Sequence, residues 1–105
     1  MVKLTVLYGQ PKDSAAFERY YMEVQTPLAL KVKGVRRIEI ARVVGTADGS
    51  PSPYFRIADL YFDDAKHLQE CLASKEGQAA AADIANFATG GVTMLIADVQ
   101  DLTSR

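Results

Sequence analysis

Pro27 interrupts what is otherwise one amphipathic helix. Phe17, Tyr20, Tyr21, Val24 and Leu28 recur at helical spacing and form an aromatic stripe. Proline, however, has no backbone N–H, and its ring biases the preceding Thr26 away from helical angles. The sequence therefore predicts a first segment ending near Gln25. A short turn then restarts, with Thr26 as N-cap and Pro27 as the first helical residue. Gly34 releases the chain into Val35 to Val44, rich in Val and Ile. The Gly-, Ser- and Pro-containing loop from Thr46 to Pro53 returns it as Tyr54 to Phe62, an antiparallel hairpin.

The flanking segments extend this helix-and-hairpin unit. Residues 2 to 8 read as a strand with Val2, Leu4, Val6 and Tyr8 on one side and Lys3, Thr5 and Leu7 on the other. Gly9, Pro11 and Asp13 supply turn chemistry, and Asp13 or Ser14 can cap the first helix. After the hairpin, Asp63 or Asp64 caps a helix in which Ala65, Leu68, Cys71 and Leu72 share a face. Gly77 marks a weak point in that region, and Ser74 can start a second segment with the stripe Ala80, Ala81, Ile84, Phe87 and Ala88. Gly90 and Gly91 close it before a last strand from Val92 to Val99.

The resulting order, βαββαβ, belongs to the ferredoxin-like class of α+β folds: an antiparallel sheet with both helices on one face. Ile38, Ile40, Ala58, Leu60 and Phe62 are expected to face the helices. Ala41, Val43, Phe55, Ile57 and Tyr61 then lie on the other side, which is too apolar for water and predicts a homodimer formed sheet to sheet. The 105 residues suit a single domain spanning 1–105, without repeats, and 49% hydrophobic against 24% charged residues suit a folded globule.

Twelve Lys and Arg against thirteen Asp and Glu leave a formal charge of -1, so no general field attracts nucleic acid. One cysteine and one histidine do not make a metal site, and neither a phosphate loop, a dinucleotide fingerprint, CxxC nor GxSxG occurs. No cofactor is expected. The alternating N-terminus is too short for a membrane span or signal peptide, which predicts a cytoplasmic protein without membrane attachment.

Three strings in order, FERYYMEVQTPLALKVKGVRRIEI, YFRIADLYFDD and SKEGQAAAADIANFATGG, with LTVLYG at the start, resemble the EthD family of dimeric α+β barrel proteins over nearly the whole chain. The resemblance implies a homodimer with packed sheets and a small pocket in each subunit between sheet and helices. It also implies a place near cofactor-independent monooxygenases, isomerases and polyketide dehydratases. The family takes its name from ethyl tert-butyl ether degradation, where its member accompanies a cytochrome P450 system.

The family usually carries a His at the end of the first helix, ahead of the Pro-Leu pair; here the residue is Gln25. A His there serves acid–base chemistry near neutral pH, whereas an amide does not titrate. Gln25 can still orient a substrate or polarise a carbonyl through its N–H group, or it can cap helix carbonyls. Tyr8, Tyr20 and Tyr21 offer hydroxyls to the same pocket, although aromatics at this spacing are mostly core. His67, early in the second helical region, reads as solvated. Asp59 and Glu39 fall on the sheet face opposite the helices together with Arg37, either as paired carboxylates or as an ion network at the dimer interface. Lys31, Lys33, Arg36, Arg37 and Arg42 cluster around the first helix exit, where helix ends favour cations.

Two functions follow. One is a cofactor-independent oxidoreductase-type or dehydratase-type enzyme acting on a small apolar or aromatic metabolite in a catabolic or polyketide-like pathway. The other is a noncatalytic accessory or carrier protein for a partner oxygenase.

Overall fold

The computed structural model describes residues 1–103. In chain order these form β1 (Val2–Gly9), α1 (Ser14–Tyr20), a π-helical turn (Tyr21–Gln25), α2 (Thr26–Leu30), β2 (Arg37–Arg42), β3 (Tyr54–Phe62), α3 (Ala65–Ala73), α4 (Lys75–Asp83), a 3-10 turn (Ile84–Asn86) and β4 (Val92–Asp98). The sheet runs β2-β3-β1-β4 with every neighbour antiparallel. This is the expected ferredoxin-like arrangement. Alternation in β1 settles which of its faces meets the helices: Val2, Leu4, Val6 and Tyr8 are all buried.

Side-chain caps start three of the helices. Asp13 accepts from the Ala16 N–H at 3.1 Å, Asp64 from His67 at 2.7 Å, and Ser74 from Gly77 at 3.1 Å. Asp63 does not cap; it pairs instead with Arg36 at 2.7 Å. At the α3–α4 junction, a Cβ on Gly77 would stand 2.1 Å from the Cys71 carbonyl oxygen, so this glycine permits close backbone approach rather than marking a weak point.

The first helical region departs from expectation. It does not break at Gln25. Thr26 is itself helical, at φ -59° and ψ -47°, and α2 has no side-chain cap at its start. The Thr26 N–H reaches back five residues to Tyr21, so the π turn shifts the hydrogen-bond register by one where Pro27 cannot donate. Continuity is kept and the buried face changes. Phe17, Tyr21 and Gln25 are buried at successive four-residue steps, while Val24, assigned to the stripe, is 36% exposed.

A second departure lies in β3. Tyr8 pairs with Arg56 and Gly9 with Tyr54, leaving Phe55 as the extra residue of a bulge. Phe55 was expected on the face away from the helices. Because the bulge breaks the two-residue period, its ring instead meets Phe17 edge-on at 5.3 Å, and both Phe55 and Arg56 are buried. The remaining alternation stands, with Ile38, Ile40, Ala58, Leu60 and Phe62 on the helix side.

The core is aromatic at one end. Tyr8, Phe17, Tyr20, Tyr21, Phe55 and Phe87 form a cluster with centroids 5.2 to 5.8 Å apart. Pairs of this geometry contribute about 0.5–1.5 kcal/mol each beyond the area they bury. In contrast, β4 is exposed along its whole length, including Val92, Met94, Leu95 and Ile96.

Candidate functional site

Beside the aromatic cluster, sheet and helices stand apart and leave a cavity of about 90 Å³. Its walls are aliphatic, from Leu4, Val6, Ile40, Leu60 and Ile84 among others. Four polar side chains other than Cys71 reach it: Tyr8, Tyr21, Gln25 and Thr26. The structure thus brings Gln25 together with two of the three candidate tyrosines. Tyr20 faces elsewhere, beside Lys12, Asn86 and Thr89 in a separate depression.

Gln25 is 7% exposed on the π turn. Its amide nitrogen donates to the Ala80 carbonyl at 3.3 Å and to Asp83 Oδ2 at 2.9 Å, since both of those atoms only accept. With the amide assigned in this orientation, its N–H group is engaged by the protein itself. Asp83 is buried in turn, and its other oxygen accepts from the Tyr20 hydroxyl at 2.5 Å and from Asn86 Nδ2 at 3.0 Å. A carboxylate with three neutral donors links the cavity to Tyr20 on the far side.

The tyrosines do not act as bases near neutral pH. Burial and the neighbouring Tyr21 hydroxyl hold the Tyr8 phenol above its ordinary range. Burial pushes Tyr21 up to about 12, against the opposing pull of Arg56. Tyr20 is also raised, first by its hydrogen bond to Asp83. Arg56 packs over the Tyr21 ring at 5.0 Å and donates two hydrogen bonds of 2.8 Å to Glu18. One further group stands out. The Thr26 hydroxyl, expected to cap a helix, is buried at the cavity without a partner.

The remaining candidates lie outside the cavity. His67 is half-buried and meets the Gly34 carbonyl at 2.9 Å, a tie between α3 and the turn before β2, which corrects its reading as a solvated residue. Gly34 has a φ of 90°, and a Cβ there would stand 2.6 Å from the imidazole. On the opposite sheet face, Asp59 accepts from Thr5 at 2.6 Å and pairs with Lys3 at 3.4 Å. Glu39 pairs with Arg37 at 2.5 Å and accepts from Tyr61 at 2.9 Å. The two carboxylates are cross-strand neighbours, each held by its own cation, so they do not form a shared acid–base pair. Arg36, Arg37 and Arg42 are engaged with Asp63, Glu39 and the Phe55 ring.

Asp83, Arg56 and Glu18 were not singled out from the sequence. A carboxylate on the apolar α4 stripe between Ala80 and Phe87, and an arginine in phase with Ala58 and Leu60, were the available signals. Among the described residues no group of three or more His, Cys, Asp or Glu side chains can hold a metal, and no helix is long and apolar enough to cross a membrane.

An EthD domain matches residues 10–91, which is most of the chain. The chain belongs to the EthD family. Over 98 residues it is 41% identical to an uncharacterized 11.0 kDa protein of the thcB-thcC intergenic region of Rhodococcus erythropolis, covering 93% of this chain and 94% of that one. An EthD family protein from Bacillus halodurans C-125, solved by crystallography, superposes with a TM-score of 0.90 at 35% identity, covering 95% of this chain and 99% of that chain. SnoaB from Streptomyces nogalater, a cofactor-independent oxygenase, shares the fold of this EthD protein at a TM-score of 0.67 and 15% identity, with 98% and 97% covered.

Proposed function

We propose that this EthD protein binds a small apolar or aromatic metabolite in the cavity between sheet and helices and acts on it as a cofactor-independent oxidoreductase-type or dehydratase-type enzyme. The observation that carries the reading is a largely aliphatic cavity with a few polar groups in its lining, the usual form of a small-molecule site. The buried, partnerless Thr26 hydroxyl supports it, because a polar group of a ligand in the cavity would relieve the cost of leaving that hydroxyl unpaired. A fold neighbour described as a cofactor-independent oxygenase supports the reading. With no His at position 25 and the tyrosines raised, the site works by orienting its ligand through hydrogen bonds rather than by abstracting a proton near neutral pH.

The working unit is a homodimer located in the cytoplasm. Support comes from the apolar outer sheet face and from β4, whose exposed Met94, Leu95 and Ile96 need cover.

A second reading, an accessory or carrier protein for a partner oxygenase, is favoured by the same lack of a group titrating near neutral pH at the cavity. Turnover and ligand affinity measured together for the wild type and Gln25→Ala separate the two readings. Turnover by the purified protein alone, lost in the variant, supports the enzyme. Ligand retained on purification, seen by native mass spectrometry, without turnover supports the carrier. Unchanged affinity and turnover in Gln25→Ala would remove the cavity assignment.

A further inference from the structure

The two phenols at the cavity deepen that reading and rest on it. Tyr8 and Tyr21 are each 2% exposed and both line the cavity, with ring centroids 5.4 Å apart. Their hydroxyls are neighbours and bond no other described residue; the Gln25 amide donates to Ala80 and Asp83 instead. Nor are the phenol oxygens sealed in the core, since among the described residues Thr26 Oγ1 is the enclosed polar side-chain atom left without a partner. The space onto which the phenol oxygens open is therefore the cavity that both residues line.

Two hydroxyls can share one hydrogen bond, which uses one O–H and leaves the other without an acceptor in the protein. Their surroundings decide which is left. The Arg56 guanidinium lies 5.0 Å from the Tyr21 ring centroid and favours negative charge on that side, whereas the charged neighbour of Tyr8 beyond the tyrosine pair is the Asp83 carboxylate. The Tyr21 oxygen is thus the acceptor of the Tyr8 O–H, and the Tyr21 O–H is the one left over. A hydrogen bond received from Tyr8 polarises Tyr21 and strengthens the bond that Tyr21 donates in turn.

We infer that Tyr21, backed by Tyr8, donates a hydrogen bond to the oxygen of a carbonyl ligand, so that the site takes a ketone or aldehyde with a small apolar or aromatic body. A carbonyl accepts without bringing an O–H of its own into the apolar walls, as an alcohol would. Tyr21 is the residue that touches the ligand, and Tyr8 is a positioning residue that acts through it.

The test compares acetophenone, labelled with carbon-13 at its carbonyl, with α-methylstyrene, in which a CH2 group replaces the oxygen, by NMR titration of the full chain. The affinity ratio of ketone to alkene is expected to fall about tenfold in Tyr21→Phe and about threefold in Tyr8→Phe. The carbonyl resonance of bound acetophenone should lie downfield of its position in cyclohexane for the wild type, move part of the way back in Tyr8→Phe and return to the cyclohexane position in Tyr21→Phe. An unchanged ratio in Tyr21→Phe, or a wild-type resonance at the cyclohexane position, overturns the inference and leaves the cavity reading standing. If Tyr21→Phe fails to fold by circular dichroism, the wild-type resonance decides in its place. A resonance unmoved by Tyr8→Phe overturns the role of Tyr8. Binding of neither probe at millimolar concentration overturns both the inference and the cavity reading.

Discussion

Replacing Glu18 by Gln isolates the ion pair that supports the Tyr21 side of the cavity. Arg56 has a side chain only 10% exposed, and Glu18 meets it with two hydrogen bonds of 2.8 Å while remaining 27% exposed. Removing one member of a fully buried pair costs about 3–5 kcal/mol, and an exposed pair contributes at most about 1 kcal/mol. Water reaches the Glu18 end, and a Gln amide keeps one acceptor, so the expected loss is about 2 kcal/mol. In urea unfolding followed by circular dichroism, with a slope of about 1 kcal/mol per molar, the midpoint falls by about 2 M. Glu18→Gln combined with Arg56→Met is expected to be more stable than Glu18→Gln alone, because no cation is left unpaired beneath the rings.

The pH dependence of the same variant follows from the sign of the shift. Hydrogen bonds from Arg56 hold the Glu18 carboxyl below its usual range. A depressed folded value contributes stability above the unfolded pKa of about 4.3, and that contribution is lost as pH falls through the folded value. The gap between wild type and variant should thus be constant from about pH 5.5 to 8 and close below about pH 4. A loss under about 0.5 kcal/mol at pH 7, or a gap that persists at pH 2, would refute the reasoning.

Four further outcomes are expected. Phe55→Ala should cost about 3–5 kcal/mol in chemical denaturation, as for a core aromatic, whereas a residue on the open sheet face would change stability by less than about 1 kcal/mol. Gly77→Ala, favourable in most helices, should lower the melting temperature here, because its methyl meets the Cys71 carbonyl. Burial raises the Cys71 thiol above its ordinary range, so its alkylation should be at least about a hundredfold slower in the native protein than in urea. Multi-angle light scattering at micromolar concentration should give twice the chain mass, and Leu95→Asp should shift it toward the monomer; a wild-type monomer would sink the sheet-to-sheet dimer.

The fold was legible because its signals are local. Alternation marks β1, Asp13, Asp64 and Ser74 mark helix starts, and the Val/Ile-rich run before the Gly-Ser-Pro loop marks the hairpin. Pro27 misled because its effect depends on how the helix reaccommodates the missing donor. A break and a register shift use the same residue, and packing against the sheet decides between them. Phe55 misled because a bulge inverts side-chain direction without any marker in the strand sequence. The site was half legible. Tyr8 and Tyr21 lie on elements whose phase could be read and Gln25 was marked by the resemblance, whereas Asp83 enters only through a contact 58 positions away from Gln25 along the chain.

The sheet order has a consequence for how the molecule is assembled. β1 lies between β3 and β4, both of which come later in the chain, and Val2 pairs with Phe62 on one side and Asp98 on the other. The strand synthesised first must therefore wait for its partners, with its alternating apolar side uncovered in the interval. Pairings that span most of the chain close slowly, since loop entropy is lost before contacts compensate. During synthesis, the helical region that follows β1 is the nearest apolar surface available to shelter it.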